Sequence, residues 1–360
     1  MSMLLPDPRL LPRVAPKNEI IRAVLARLAE TDAAAIDRKQ AALEGLLRDA
    51  LDMDDAQALT VALQLAPEQT ACRHLWHTLL DVLGAGAAER HAVVFALPLV
   101  LATGSRKETQ LPARIDAGPV LAILREQGVI RESAQVWLGG ELLHPDTLAG
   151  LSFGQLWQCS QSAGLEGLPQ TLAGTPVPVH EEGVFVRYLL GVALQEAGQP
   201  APVRLGGMVG DWGMLVMRNL TAQLETPKVT LFPIPAVPNL VPEALRQGLA
   251  LRLDVNLQMW ASNIIRKLRK GGVEIVGVAA AHENNEIRFT VSSPGDDKNW
   301  SGFVWPLAPL DSVERIGENF RALMSECQVS DVRVLADIQP DRVDGVPFLV
   351  TCNDAAARPA

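Results

Sequence analysis

A glycine-rich segment at residues 206–213 has the composition best suited to ligand binding. It reads Gly-Gly-Met-Val-Gly-Asp-Trp-Gly and precedes a helical run at 214–224. Backbone N–H groups near a helix N-terminus can hold an anion. The segment therefore predicts a phosphate or small-molecule site formed by Gly206, Gly207, Gly210, Asp211 and Gly213. Its spacing matches neither the dinucleotide nor the P-loop fingerprint, and the alternative is a tight turn with Asp211 as helix N-cap.

The densest positive cluster lies at residues 266–270, where a helix is predicted to end before two glycines. A helix C-terminus favours basic side chains through its dipole, so a solvated helix end is one interpretation. The other is contact with nucleic acid or an acidic partner. The residues concerned are Arg266, Lys267, Arg269 and Lys270. Four charges in a chain of net charge −9 give little affinity for nucleic acid, so a nucleic-acid partner is the weaker prediction.

Two tryptophans, Trp300 and Trp305, lie five residues apart in a predicted strand. Positions an odd number apart on a strand face opposite sides of the sheet, so one of the two is expected to point away from the core. An exposed tryptophan there would suggest a surface that contacts a partner protein.

Histidine and cysteine spacing predicts no metal and no cofactor. His74 and His77 lie one helical turn apart, which could begin a metal site, but no third ligand lies nearby in the sequence. Adjacent carboxylates at Asp296 and Asp297 are read as a polar turn. The cysteines form no C-x-x-C pair and are expected to be free thiols in a reducing cytoplasm. They are Cys72, Cys159, Cys327 and Cys352.

The composition indicates a folded cytoplasmic protein rather than a disordered or membrane-spanning one. The chain has 360 residues, of which 48% are hydrophobic and 20% charged. Its N-terminus lacks the pattern of a signal peptide, and its longest apolar run, at 92–103, is too short to span a bilayer. That run is expected to be a buried strand. The residue usage is typical of a bacterial protein.

Periodicity predicts an α+β fold in which a helical N-terminal region precedes a mixed, largely antiparallel sheet with helices packed on it. We divide the chain into a helical region at 1–90, a helix-rich middle region at 91–225 and an α+β domain at 226–360. The Gly-, Pro- and Thr-rich stretch at 164–182 is expected to be an ordered loop or a joint between domains.

Individual elements follow from local patterns in the same way. Residues 185–196 are expected to form a helix, 242–248 a short helix and 249–255 a strand. Lys228 to Pro235 is expected to be an edge strand, because prolines interrupt it. Two strands around an Asn-rich turn at 282–286 are expected to form a hairpin.

The functional hypothesis that follows is a non-enzymatic scaffold or subunit of a bacterial protein assembly. Its partners would be other proteins, and a homo-oligomer is compatible with the sequence. This hypothesis rests on the lack of an acid–base or metal constellation in the local motifs and on scattered tryptophans that could anchor contacts. The alternative is an enzyme or binding protein that uses the loop at 206–213. A weaker alternative is a nucleic-acid-contacting regulator that uses the basic helix at 266–270.

Overall fold

The architecture comes from a computed structural model, in which most of the chain forms defined helices and strands. The structure describes residues 18–103, 111–112, 114–161, 183–224, 231–293, 296–335, 337, 342–343 and 346–347. Two compact units are present, Met1–Arg252 and Leu253–Ala360. The stretch at 164–182, expected to be a loop or joint, lies outside the described residues. The division of the chain into three regions stays a prediction.

Four helices begin the described chain, within the region that is predicted to be helical. They are α1 (Glu19–Leu28), α2 (Ala33–Asp52), α3 (Ala56–Gln64) and α4 (Gln69–Ala85). Three of them begin at a side chain that accepts a backbone N–H of the first turn: Asn18, Asp32 and Asp55. Such caps satisfy donors that the helix itself cannot, so short polar residues fix where each helix begins.

An antiparallel sheet, curled into a half-barrel, forms the centre of the first unit. Its strand order is β2-β3-β1-β4, with β5 also paired to β1. The strands are β1 (Arg90–Thr103), β2 (Val136–Leu138), β3 (Val184–Glu196), β4 (Leu231–Pro235) and β5 (Asn239–Leu240). The buried strand predicted at 92–103 and the predicted edge strand before Pro235 both appear, the latter as β4.

Residues 185–196 form strand β3, so the helix predicted there is wrong. The strand pairs with β1 over thirteen positions, from Val184 to Glu196. It is buried along nearly its whole length, from Val184 to Leu194. A strand covered on both faces has no polar alternation, and its continuous apolar run cannot be distinguished from a buried helix by periodicity.

Helices cover the half-barrel on one side through a core shared with β1 and β3. Alternate side chains such as Leu97 and Leu189 face this core. Two helices contribute to it, α5 (Gly118–Glu126) and α8 (Trp212–Leu224). Helix α8 packs on both α5 and β4. Two shorter helices, α6 (Pro145–Ala149) and α7 (Phe153–Ser160), follow β2 along the chain.

A single long helix, α9 (Val241–Lys270), replaces the short helix and strand predicted at 242–255. Gly248, which suggested a break in the sequence, lies inside this helix. A Cβ at that position would collide with the hydroxyl of Tyr188 and lie 3.0 Å from its Cζ. Gly248 therefore permits close packing and does not end the helix, which is a requirement of tertiary contact that local sequence does not show.

The second unit contains a four-stranded sheet of order β8-β7-β6-β9, in which β9 runs parallel to β6. Its elements are β6 (Val276–His282), β7 (Glu286–Ser293), β8 (Asp296–Pro306), α10 (Val313–Glu326) and β9 (Asp331–Leu335). A small pair, β10 (Arg342–Val343) and β11 (Val346–Pro347), follows. The predicted hairpin is confirmed, and Asn285 takes a φ of 57° in its turn.

The core of the second unit forms between one face of its sheet and two helices. Phe289 and Phe320 lie with ring centroids 4.8 Å apart at its centre. The C-terminal part of α9 contributes Leu257 and Ile265, and β8 contributes Trp305. The combination of a sheet with helices in each unit confirms the predicted α+β class.

Candidate functional site

The loop at 206–213 adopts a conformation that requires glycine at its start. Gly206 and Gly207 have φ values of 71° and 85°, which place them in the left-handed region. However, the amide of Gly206 donates to the carbonyl of Pro238 at 2.9 Å, and that of Gly213 donates to Gly210 at 3.0 Å. Two of the backbone N–H groups that were expected to bind an anion therefore donate to carbonyl groups of the protein itself.

Packing accounts for the last glycine of the loop. A Cβ at Gly213 would collide with Cγ1 of Val209 and would lie 3.9 Å from Cγ of Pro235. The neighbouring Trp212 is buried, with 2% of its surface exposed, and belongs to the core under the half-barrel. Gly213 thus lets the loop fold back against the first turn of α8, where Trp212 anchors it.

The outer surface of this loop and of the first turn of α8 is apolar. Met208 is 89% exposed, Met214 52%, Val209 42% and Leu215 36%. These four residues, which we call the 208–215 patch, are four of the ten large apolar side chains exposed in the described part of the chain. Asp211, the charged side chain of the loop, is also exposed. An exposed cluster of large apolar side chains is typical of a contact surface.

Edge strand β4 lies next to α8 but is poorly suited to pairing with an added strand. It pairs with β1 alone among the described strands. Pro233 and Pro235 lack backbone N–H groups. Because the backbone groups of residues two apart point to the same edge of a strand, both missing donors belong to one edge of β4. An added strand would need donors along one edge of β4, and the prolines remove them. Leu231 is buried in the core under α8. Adjacent residues of a strand point to opposite faces of the sheet, so Phe232, which is 57% exposed, lies on the face away from this core.

The predicted basic cluster forms one wall of a cleft in the second unit. The cleft has a volume of about 500 Å³. It is lined by Ser262, Ile265, Arg266, Arg269, Lys270 and Cys327. Lys267, the fourth basic residue of this helix end, is exposed and is not part of the lining. The structure therefore divides the predicted cluster into three cations that share a cleft and one that does not.

The two tryptophans of β8 lie on opposite faces of the sheet, as their spacing predicts. Trp305 is 3% exposed and belongs to the core of the second unit. Trp300 pairs with Ser292 and is half-buried. A partner contact at Trp300 stays a prediction.

His74, the first histidine of the predicted pair, contacts a side chain of α2. Nε2 of His74 lies 3.1 Å from Oε1 of Gln40, and burial lowers the pKa of His74. The residues that the structure describes contain no group of three His, Cys, Asp or Glu side chains able to hold a metal ion. The side chains of Asp296 and Asp297 lie outside the described residues.

A buried polar row on β6 and β7 escaped the sequence analysis. Oε1 of Glu286 lies 2.8 Å from Nε of Arg288 and 3.5 Å from Nδ1 of His282. Thr290 and Ser292 continue the row and are 0% and 1% exposed. Alternation of polar and apolar residues along β7 is visible in the sequence, but it is the usual pattern of a strand with one face in water. Here both faces are buried.

Asp254 on α9 is a second residue that local motifs did not indicate. Burial raises the pKa of this carboxyl to about 6, against 3.8 for an ordinary aspartate. Arg315 lowers the pKa and Asp311 raises it, both by smaller amounts than burial. A half-buried carboxyl of this kind takes up a proton in weakly acidic solution.

Comparison with known proteins finds no family model, no curated protein and no solved structure that matches this chain. Across the part of the chain that the structure describes, no helix has the length and apolar character needed to cross a membrane.

Proposed function

We propose that this chain is a binding subunit of a protein assembly and that the 208–215 patch is its contact surface. The observation that carries this proposal is the exposure of four large apolar side chains within eight residues, held in place by the buried Trp212. Methionine suits such a surface because its side chain is flexible and polarisable. Burying these side chains against a partner removes apolar area from water, which drives association.

The favoured occupant is a different protein with an apolar surface and a neutral or basic charge. Asp211 lies within the patch and is exposed. A second copy of this chain would also carry a net charge of −9, and repulsion between two acidic chains opposes their association at low ionic strength. The prolines of β4 disfavour strand addition next to the patch, so the partner would dock through side chains rather than through backbone pairing.

The bacterial cytoplasm is the setting in which we place this assembly. Cys72, Cys159 and Cys327 are free thiols. Burial raises the pKa of Cys72 and of Cys159, which keeps both as unreactive thiols. Free buried cysteines suit a reducing compartment.

Affinity purification from the native host, followed by calorimetry with the recovered partner, tests the proposal. We expect the double substitution Met208→Gln and Met214→Gln to weaken the partner's affinity by at least about tenfold, since each change removes an apolar contact. Met53→Gln is the matched control, because Met53 is 72% exposed and lies outside the patch. Met214 lies in α8, where glutamine and methionine have similar helix propensities, and Met208 lies in an exposed loop, so folding should be unchanged.

Three results would contradict the proposal. The wild-type chain could be recovered without a stoichiometric partner. A partner could bind the double variant as tightly as the wild type. Light scattering could instead show a homo-oligomer that the double variant disrupts, which would replace the different protein by a second copy.

A further inference from the structure

We propose that the cleft at the C-terminal end of α9 binds a small molecule that carries two or more negative charges as phosphate groups. This site lies in the second unit and is independent of the 208–215 patch. It is a cleft of about 500 Å³ that is open to solvent. Arg266, Arg269 and Lys270 line it, together with the hydroxyl-bearing Ser262.

Helix geometry explains why these side chains converge. Residues three or four apart lie on the same face of a helix, and Ser262, Arg266, Arg269 and Lys270 follow this spacing. The apolar side chain of Ile265 is buried beneath them. On the opposite side, Cys327 ends α10 and contributes to the cleft wall. The result is an open cleft lined mainly by apolar side-chain atoms, to which three basic residues of one helix face contribute.

Two of the three cations are positioned by hydrogen bonds. A guanidinium nitrogen of Arg266 donates to Oδ1 of Asn263 at 2.7 Å. A guanidinium nitrogen of Arg269 donates to the carbonyl of Cys327, which offsets the negative end of α10. Neither contact neutralises the charge, because each acceptor is an uncharged oxygen. Arginine held in this way is pre-organised for phosphate oxygens.

The three cations form no ion pair with a carboxylate among the described residues. Like charges at i,i+3 and i,i+4 repel one another along a helix. A ligand with several negative charges would relieve this repulsion at all three positions, whereas one carboxylate would match a single cation. The dipole of α9 accounts for basic residues at its end, but it does not account for their shared cleft or for the exclusion of Lys267.

Calorimetric titration of the full-length protein with inorganic pyrophosphate at low salt tests this site. We expect saturable binding of one pyrophosphate per chain. Lys270→Gln should weaken it by about tenfold, the usual effect of losing one charge-assisted hydrogen bond. Lys267→Gln removes the same charge from the same helical turn outside the cleft, and it should change the affinity by less than about twofold.

A second readout follows the cleft directly. Bound pyrophosphate should slow the alkylation of Cys327 in the wild type, measured by mass spectrometry of the peptide, and should do so less in Lys270→Gln. Cys72 serves as the reference thiol because it is buried in the helical region. Circular dichroism of both variants checks that each substitution leaves the fold intact.

The remaining outcomes each overturn the proposal. The cleft is not a binding site if pyrophosphate shows no saturable binding. Citrate that binds as tightly as pyrophosphate would overturn the phosphate assignment. A single-stranded oligonucleotide whose binding falls equally in Lys267→Gln and Lys270→Gln would show a nonspecific cationic surface. Equal losses of pyrophosphate affinity in the two variants would lead to the same conclusion.

Discussion

Replacement of Asp254 by asparagine is expected to stabilise the protein above pH 6 and to leave it nearly unchanged near pH 4. The folded-state pKa is about 6 because of burial, whereas the ordinary value is 3.8. Between these values the folded state binds more protons than the unfolded state, so stability falls as the pH rises from about 4 to about 6. Asparagine carries no titrating proton and removes this loss.

The size of the effect follows from the two pKa values. Their difference corresponds to about 3 kcal/mol, since one pKa unit is about 1.4 kcal/mol. Asp254 is half-buried, so solvent screening reduces the expected stabilisation to about 1 to 2 kcal/mol at neutral pH. Arg315 partly stabilises the charged form and is already included in the folded-state pKa.

Urea unfolding of the wild type and of Asp254→Asn at several pH values between about 4 and about 8 measures this difference. Glu274→Gln is the matched control, because it replaces an exposed carboxylate of the same unit by its amide. A difference between Asp254→Asn and wild type that stayed constant across this range would refute the reasoning. So would an asparagine variant less stable than the wild type at neutral pH.

Two further predictions concern single positions in the first unit. The pKa of Glu30 is lowered to about 2, mainly by the ammonium of Lys39 and also by two backbone N–H groups. The wild type should therefore lose stability as the pH falls from about 4.5 to about 2, and Glu30→Gln should lose less, as acid titration followed by circular dichroism would show. A Cβ at Gly191 would collide with the ring of Phe95, so Gly191→Ala should destabilise the protein by about 1 to 3 kcal/mol in thermal unfolding. A Cβ at Gly45 on α2 would meet no atom within 4 Å, so Gly45→Ala is the control and should leave the melting temperature unchanged or raise it. A similar loss of stability in Gly191→Ala and Gly45→Ala would contradict the steric explanation.

Local sequence was sufficient wherever a few adjacent residues decide the backbone. The Asn-rich turn at 282–286 predicted a hairpin, and β6 and β7 pair as one. The turn before β7 contains Asn285 in the left-handed region, a conformation that asparagine tolerates. Such features depend on neighbours in the chain, so they can be read without knowing the fold.

Sequence patterns gave wrong secondary structure where a segment is buried by residues distant in the chain. The apolar run of β3 was read as a helix, although it is a strand covered on both faces. Gly248 was read as a helix stop, although it makes room for Tyr188. In each case the deciding neighbour lies far away in the sequence.

The candidate sites show the same division. The sequence alone determined which residues carry charge or flexibility: the basic cluster at 266–270, the glycines at 206–213 and the opposite orientation of Trp300 and Trp305. The fold places Lys267 outside a cleft shared by its three basic neighbours, and it makes the glycine loop present methionines rather than free amides. Residue type sets what a side chain can do, but packing of distant segments sets which atoms remain accessible to a partner.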